Sequence, residues 1–205
     1  MLVSDRHLAG GEDALLAAVD DAIAGGVNAV QLREKDLSPA ELLPLAKRLR
    51  EVTAGRAMMV VNSSVGVALA SGADGVHLPE ELPTIERPSR PFLVGRSVHS
   101  REAAEQAWSV CSDYLIAGLV FVTASHAGAE PGGVQLIESI TGVVAVPVLA
   151  VGGIDTQRVD DVVRSGASGV AAISAVLGAR SAREAARDLR GALDAAWAAV
   201  KESDR

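Results

Sequence analysis

Little in this chain could stack, cross-link or span. It has five aromatic residues, two Trp, two Phe and one Tyr, too few for the ring platforms on which single-stranded nucleic acid stacks. Positive charge is also short: the formal net charge is −7, and a phosphate backbone needs a basic face. Nucleic acid is therefore excluded as a partner. The one cysteine, Cys111, cannot form an internal disulfide, no Cys/His cluster has zinc spacing, and Cys111 reads as a buried small hydrophobe. No apolar run reaches the roughly 18 residues of a membrane span. No basic stretch leads into an apolar one as in a secretory leader. A membrane partner is not expected, and the location expected is cytoplasmic.

Glycine and small aliphatic side chains fill the space instead. Ser71-Gly72-Ala73-Asp74-Gly75-Val76 and Ser165-Gly166-Ala167-Ser168-Gly169-Val170 repeat one pattern 94 positions apart, near half the 205-residue length. Ala24-Gly25-Gly26-Val27-Asn28-Ala29-Val30 is a weaker copy. Each reads as a helix stopped by a glycine in the left-handed conformation, with a buried strand following at once. A helix-to-strand junction that recurs at this interval points to an αβ repeat.

Eight strand-like runs can be picked out: 1–4, 29–33, 57–62, 75–78, 92–97, 114–118, 146–151 and 169–174. Several lack polar alternation, as strands covered on both faces do. Spacing near 3.6 marks helices over Ala14–Ile23, Leu42–Val52, Val159–Val163 and Ala182–Val200, and Ser38-Pro39 reads as an N-cap with proline at the first helical position. The stretch 80–91 reads as a surface loop or irregular helix, and 201–205 as a frayed polar tail. The expected fold is α/β, a (β/α)8 TIM barrel forming one compact domain over 1–205. A doubly wound sheet is the alternative, but Ser4-Asp5-Arg6-His7 follows the first strand in place of a glycine-rich fingerprint.

In a barrel, chemistry sits at the C-terminal ends of the strands. Those ends carry Arg33, Lys35, Arg96 and several histidines, a concentration of positive charge on an acidic chain that suits an anionic small molecule. Arg33 and Lys35, two apart on one strand end, are expected on the same face, with pairing to Glu34 or Asp36 as the competing reading. Gly152, Gly153 and Ser174 fit a phosphate site in which backbone N–H groups approach an oxyanion. His77 reads as structural. Arg6 and His7 lie near the strand ends with no assigned role.

Gln31-Leu32-Arg33-Glu34-Lys35, Asn62, Gly75-Val76-His77-Leu78, Gly95-Arg96-Ser97-Val98-His99-Ser100, Thr123-Ala124-Ser125 and Ala150-Val151-Gly152-Gly153-Ile154 together resemble the thiamine-phosphate synthase/TenI family over nearly the whole chain. The resemblance implies a barrel that binds a thiazole phosphate, and synthases that join it to a pyrimidine diphosphate with release of pyrophosphate. Gln31, Arg33, Lys35 and Asn62 would then face the pyrimidine diphosphate, with Arg96 and Ser97 also contacting substrate. Thr123, Ser125, Gly152, Gly153, Ile173 and Ser174 would hold the thiazole phosphate.

The chain departs from the synthase pattern at three places. Ser63 and Leu82 stand where synthases resemble each other in the aspartates that hold Mg²⁺, and His126 replaces a lysine. Magnesium requires hard oxygen ligands in an octahedron, so no metal or other cofactor is expected, with Mg²⁺ needed only if the chain is a synthase. The resemblance leans to the TenI branch and a metal-independent thiazole tautomerase. Proton transfer there needs a group of near-neutral pKa. The tautomerase histidine position holds Leu119, leaving His126 and His99 as candidate catalytic residues. The alternatives are thiamine-phosphate synthase and a catalytically silent phosphate-binding or regulatory protein. The partner expected is the small-molecule thiazole phosphate, and a homodimer is compatible with it.

Overall fold

The computed structural model describes residues 1–89, 91–123, 128 and 130–203. Eight parallel strands run in the order β1 to β8: β1 (Leu2–Val3), β2 (Ala29–Leu32), β3 (Met58–Asn62), β4 (Gly75–Leu78), β5 (Leu93–Val98), β6 (Tyr114–Ala117), β7 (Val148–Val151) and β8 (Gly169–Ala171). The helices are α1 (Arg6–Ala9), α2 (Glu12–Ala24), α3 (Pro39–Thr53), α4 (Val65–Ala70), α5 (Arg101–Ser109), α6 (Gly133–Thr141), α7 (Val159–Arg164), α8 (Ser174–Leu177) and α9 (Ala182–Ser203). Parallel strands in sequence order with helical crossovers are the connectivity of a (β/α)8 TIM barrel. Between β4 and β5 the described residues form a loop.

The chain divides into two compact units, Met1–Val94 with Ile173–Arg187, and Gly95–Ala172 with Asp188–Arg205. The first buries Leu15, Leu45 and Leu49 from helices with Leu32, Met59 and Leu78 from strands; the second buries Leu115, Ile137, Ile140 and Val148. The repeated junctions take the expected geometry: Gly26, Gly72 and Gly166 have φ of 111°, 70° and 95°, beyond the ends of α2, α4 and α7. No helix among the described residues is long and apolar enough to cross a membrane.

Two local expectations are corrected. Cys111 is exposed. It takes φ 61°, its N–H donates to Trp108 O (2.9 Å) to close the turn after α5, and this turn sends the next residue, Ser112, inward instead. The tail from 201 is helical as far as Ser203, because Lys201 and Glu202 are good helix formers and Lys201 in the last turn complements the helix dipole. Residues 204 and 205 lie outside the described residues.

Candidate active site

In the first unit, the ends of β2 and β3 carry a row of polar side chains. Parallel pairing sets Leu32 beside Val61 and Asn62 beside His77. Gln31, only 3% exposed, donates from Nε2 to Asn62 Oδ1 at 3.1 Å. Asn62 Nδ2 donates in turn to Ser63 Oγ at 2.8 Å. Ser63 takes φ 62°, and its N–H donates to His77 O at 2.8 Å. Amides fixed in this way offer their remaining donors and acceptors at defined angles, which suits recognition of a heteroaromatic ring edge. His77 is buried, as a structural role requires.

Arg33 follows the last residue of β2 and is half-buried. Burial pulls its guanidinium below the ordinary value, against the opposing pull of Asp5 and Glu34. Lys35 is exposed. The strand stops at Leu32 and Leu37 N–H turns back to Glu34 O (3.3 Å), so strand alternation no longer places Arg33 and Lys35 on one face. Glu34 and Asp36 find a different partner, Arg6. Arg6 donates to Glu34 Oε2 at 3.2 Å and to both oxygens of Asp36, and His7 Nε2 lies 3.1 Å from Asp36 Oδ2. Arg6 and His7 hold the Asp36 carboxyl well below the usual carboxylate range. Asp5 caps α1, accepting from Leu8 N–H at 2.9 Å. This gives Arg6 and His7 the role that sequence left open; its partners stand about 30 residues away and have no local signature.

The magnesium expectation can be tested here. Ser63 Oγ already accepts from Asn62, and Leu82 is a partly exposed apolar side chain in the loop after β4. Glu80 is half-buried and Glu81 exposed. Among the described residues no three or more His, Cys, Asp or Glu are grouped to hold a metal ion. Neither Ser63 nor Leu82 supplies a carboxylate, and Glu80 and Glu81 are the acidic side chains next to Leu82 in sequence.

The first unit also contains Ile173, half-buried, and Ser174, exposed at the start of α8.

In the second unit, Arg96 on β5 is 6% exposed, and desolvation lowers its pKa. Ser97 is half-buried and His99 is exposed just beyond the strand. The segment after β6 lies along the end of β7: Val120 N–H donates to Val151 O (3.0 Å) and Phe121 N–H to Gly152 O (3.1 Å). Gly152 and Gly153 have φ of 109° and 61°. Leu119 packs where a Gly152 side chain would go, 2.4 Å from that Cβ position. Arg158 donates to Gly153 O and stacks on the Phe121 ring, 4.8 Å from its centroid. Thr123 is half-buried. Ser125 and His126 lie outside the described residues.

A family model described as thiamine monophosphate synthase matches residues 1–176. The chain belongs to the thiamine monophosphate synthase family. It is 43% identical over 183 residues to the thiamine-phosphate synthase of Methanoculleus marisnigri, covering 86% of this chain and 87% of that one. The thiamine-phosphate synthase of Methanoregula boonei is 42% identical over 175 residues, covering 82% and 81%. Among solved structures, a thiamine phosphate pyrophosphorylase from Pyrococcus furiosus superposes with a TM-score of 0.83 at 34% identity, covering 95% of each chain.

Proposed function

We propose that the chain is a thiamine-phosphate synthase, a transferase that joins a thiazole phosphate to a pyrimidine diphosphate and releases pyrophosphate. One observation carries this reading: relatives bearing that name are 42–43% identical over more than four-fifths of both chains. It displaces the tautomerase favoured by the sequence departures alone. The chemistry of the strand ends supports it. As the carbon–oxygen bond to the diphosphate breaks, negative charge grows on the leaving group. Partly desolvated cations such as Arg33 and Arg96 stabilise such charge better than hydrated ones. Gln31 and Asn62 read the ring, and Lys35 adds charge from the exposed loop. For the thiazole phosphate the family resemblance names Gly152, Gly153 and Thr123 in the second unit and Ile173 and Ser174 in the first. No step is assigned to a metal ion.

Removing one preorganised donor to developing charge costs about 10²-fold in kcat. Arg33→Ala and Arg96→Ala should each lower kcat/KM for the coupling by about that factor, measured in steady state with the thiazole phosphate saturating. Wild-type rates in both variants would remove the arginines from the reaction.

A metal-independent tautomerase is the second reading, and Ser63 with Leu82 at the two carboxylate positions favours it. His99, exposed beside the N-cap of α5, would be its candidate acid/base among the described residues, and His126 the other.

A further inference from the structure

Next to Arg33, on the loop after β2, stands a buried carboxylate that the proposed chemistry does not use. The Glu34 side chain is 3% exposed. It accepts from Ser4 Oγ (2.6 Å) and from the Arg6 N–H on both oxygens (3.2 Å each) and Nη1 (3.2 Å). Ser4, also buried, uses the same Oγ to accept from the Arg33 N–H at 2.8 Å. Arg6 meanwhile clamps Asp36. The turn after β1 thus grips the loop after β2 at three points, the Arg33 backbone, the Glu34 carboxylate and the Asp36 carboxylate. A buried charge is costly unless its lone pairs are satisfied, and every partner of this one belongs to the turn after β1, which passes the hold on to Arg33 and Asp36.

We infer that Glu34 is a positioning residue for anion recognition: through Ser4 it fixes the Arg33 backbone, and through Arg6 it fixes the loop to Asp36. The guanidinium is thereby presented to a diphosphate with its ordering cost already met during folding. This rests on the reading of Arg33 as a diphosphate contact. A carboxylate serving stability alone would lower the melting midpoint when removed and leave anion affinity where it was.

Calorimetric titration of inorganic pyrophosphate into the full chain separates the two. Arg33→Ala should weaken binding, which tests the underlying reading. Ser4→Ala removes both hydrogen bonds of this hydroxyl, to Glu34 and from the Arg33 N–H, while leaving the Glu34–Arg6 pair. With the Arg33 bond worth about 10-fold, it should weaken pyrophosphate by at least about that factor and raise KM for the diphosphate substrate with kcat little changed. Glu34→Gln should lose at least as much. Amide exchange at Arg33 should speed up in Ser4→Ala, a readout that stands even where Glu34→Gln fails to fold. Arg48→Ala, which removes an exposed pair with Glu12 and Asp13, should bind as wild type. Undiminished affinity and unchanged Arg33 exchange in Ser4→Ala, with Arg33→Ala weakened, would overturn the inference alone. Undiminished affinity in Arg33→Ala would overturn the reading beneath it and the inference with it.

Discussion

At Gly153 the backbone takes φ 61°, and a Cβ there would sit 2.7 Å from Val122 O and 2.9 Å from Phe121 Cβ. Side chains pay for the left-handed region, and a clash with backbone forces the loop to move, together about 3 kcal/mol. Gly153→Ala should therefore lower unfolding stability by roughly that amount in a denaturant titration. An unchanged midpoint would show that the segment after β6 does not pack on this glycine as described. Residue-scale chemistry was legible where it followed a strand. Gln31 and Asn62 were named together by the family resemblance, and the parallel pairing of β2 and β3 explains why they meet. The Ser4–Glu34–Arg6–Asp36 brace could not be read, because its partners lie 28 to 30 positions apart and nothing local marks them. Lys35 was placed by extending β2 past its actual end.

Among the elements, α3 shows how a few residues set a boundary. Ser38 N–H donates to Glu41 Oε2 at 2.9 Å, Glu41 N–H donates back to Ser38 Oγ, and Pro39 opens the helix. This reciprocal capping box satisfies donors that the helix leaves open. Ser38→Ala should cost about 1 kcal/mol, read as a lower thermal midpoint with the ligand affinity unchanged; an unaltered midpoint would contradict it. The strands and α2, α3, α7 and α9 were readable from apolar runs and 3.6-residue spacing. The four residues of α1 span too few turns to show a period, and α4, Val-Gly-Val-Ala-Leu-Ala, has no polar residue to set one face apart from another. Their caps, Asp5 and Ser64, were the signal that could have found them.

For the whole molecule, the half-chain repeat of a glycine-stopped helix and a buried strand pointed to an αβ repeat, and the count of eight apolar strand-like runs completed the (β/α)8 connectivity. Function needed more, since one family shares this connectivity while Ser63 and Leu82 pull away from its metal-binding pattern. The central claim is that the chain joins two substrates. It is tested most directly by incubating the full chain with a thiazole phosphate and a pyrimidine diphosphate, with and without magnesium, and following both by phosphorus and proton NMR. The account predicts thiamine phosphate and pyrophosphate in equal amounts. Interconversion of thiazole isomers with no coupled product under either condition would contradict it.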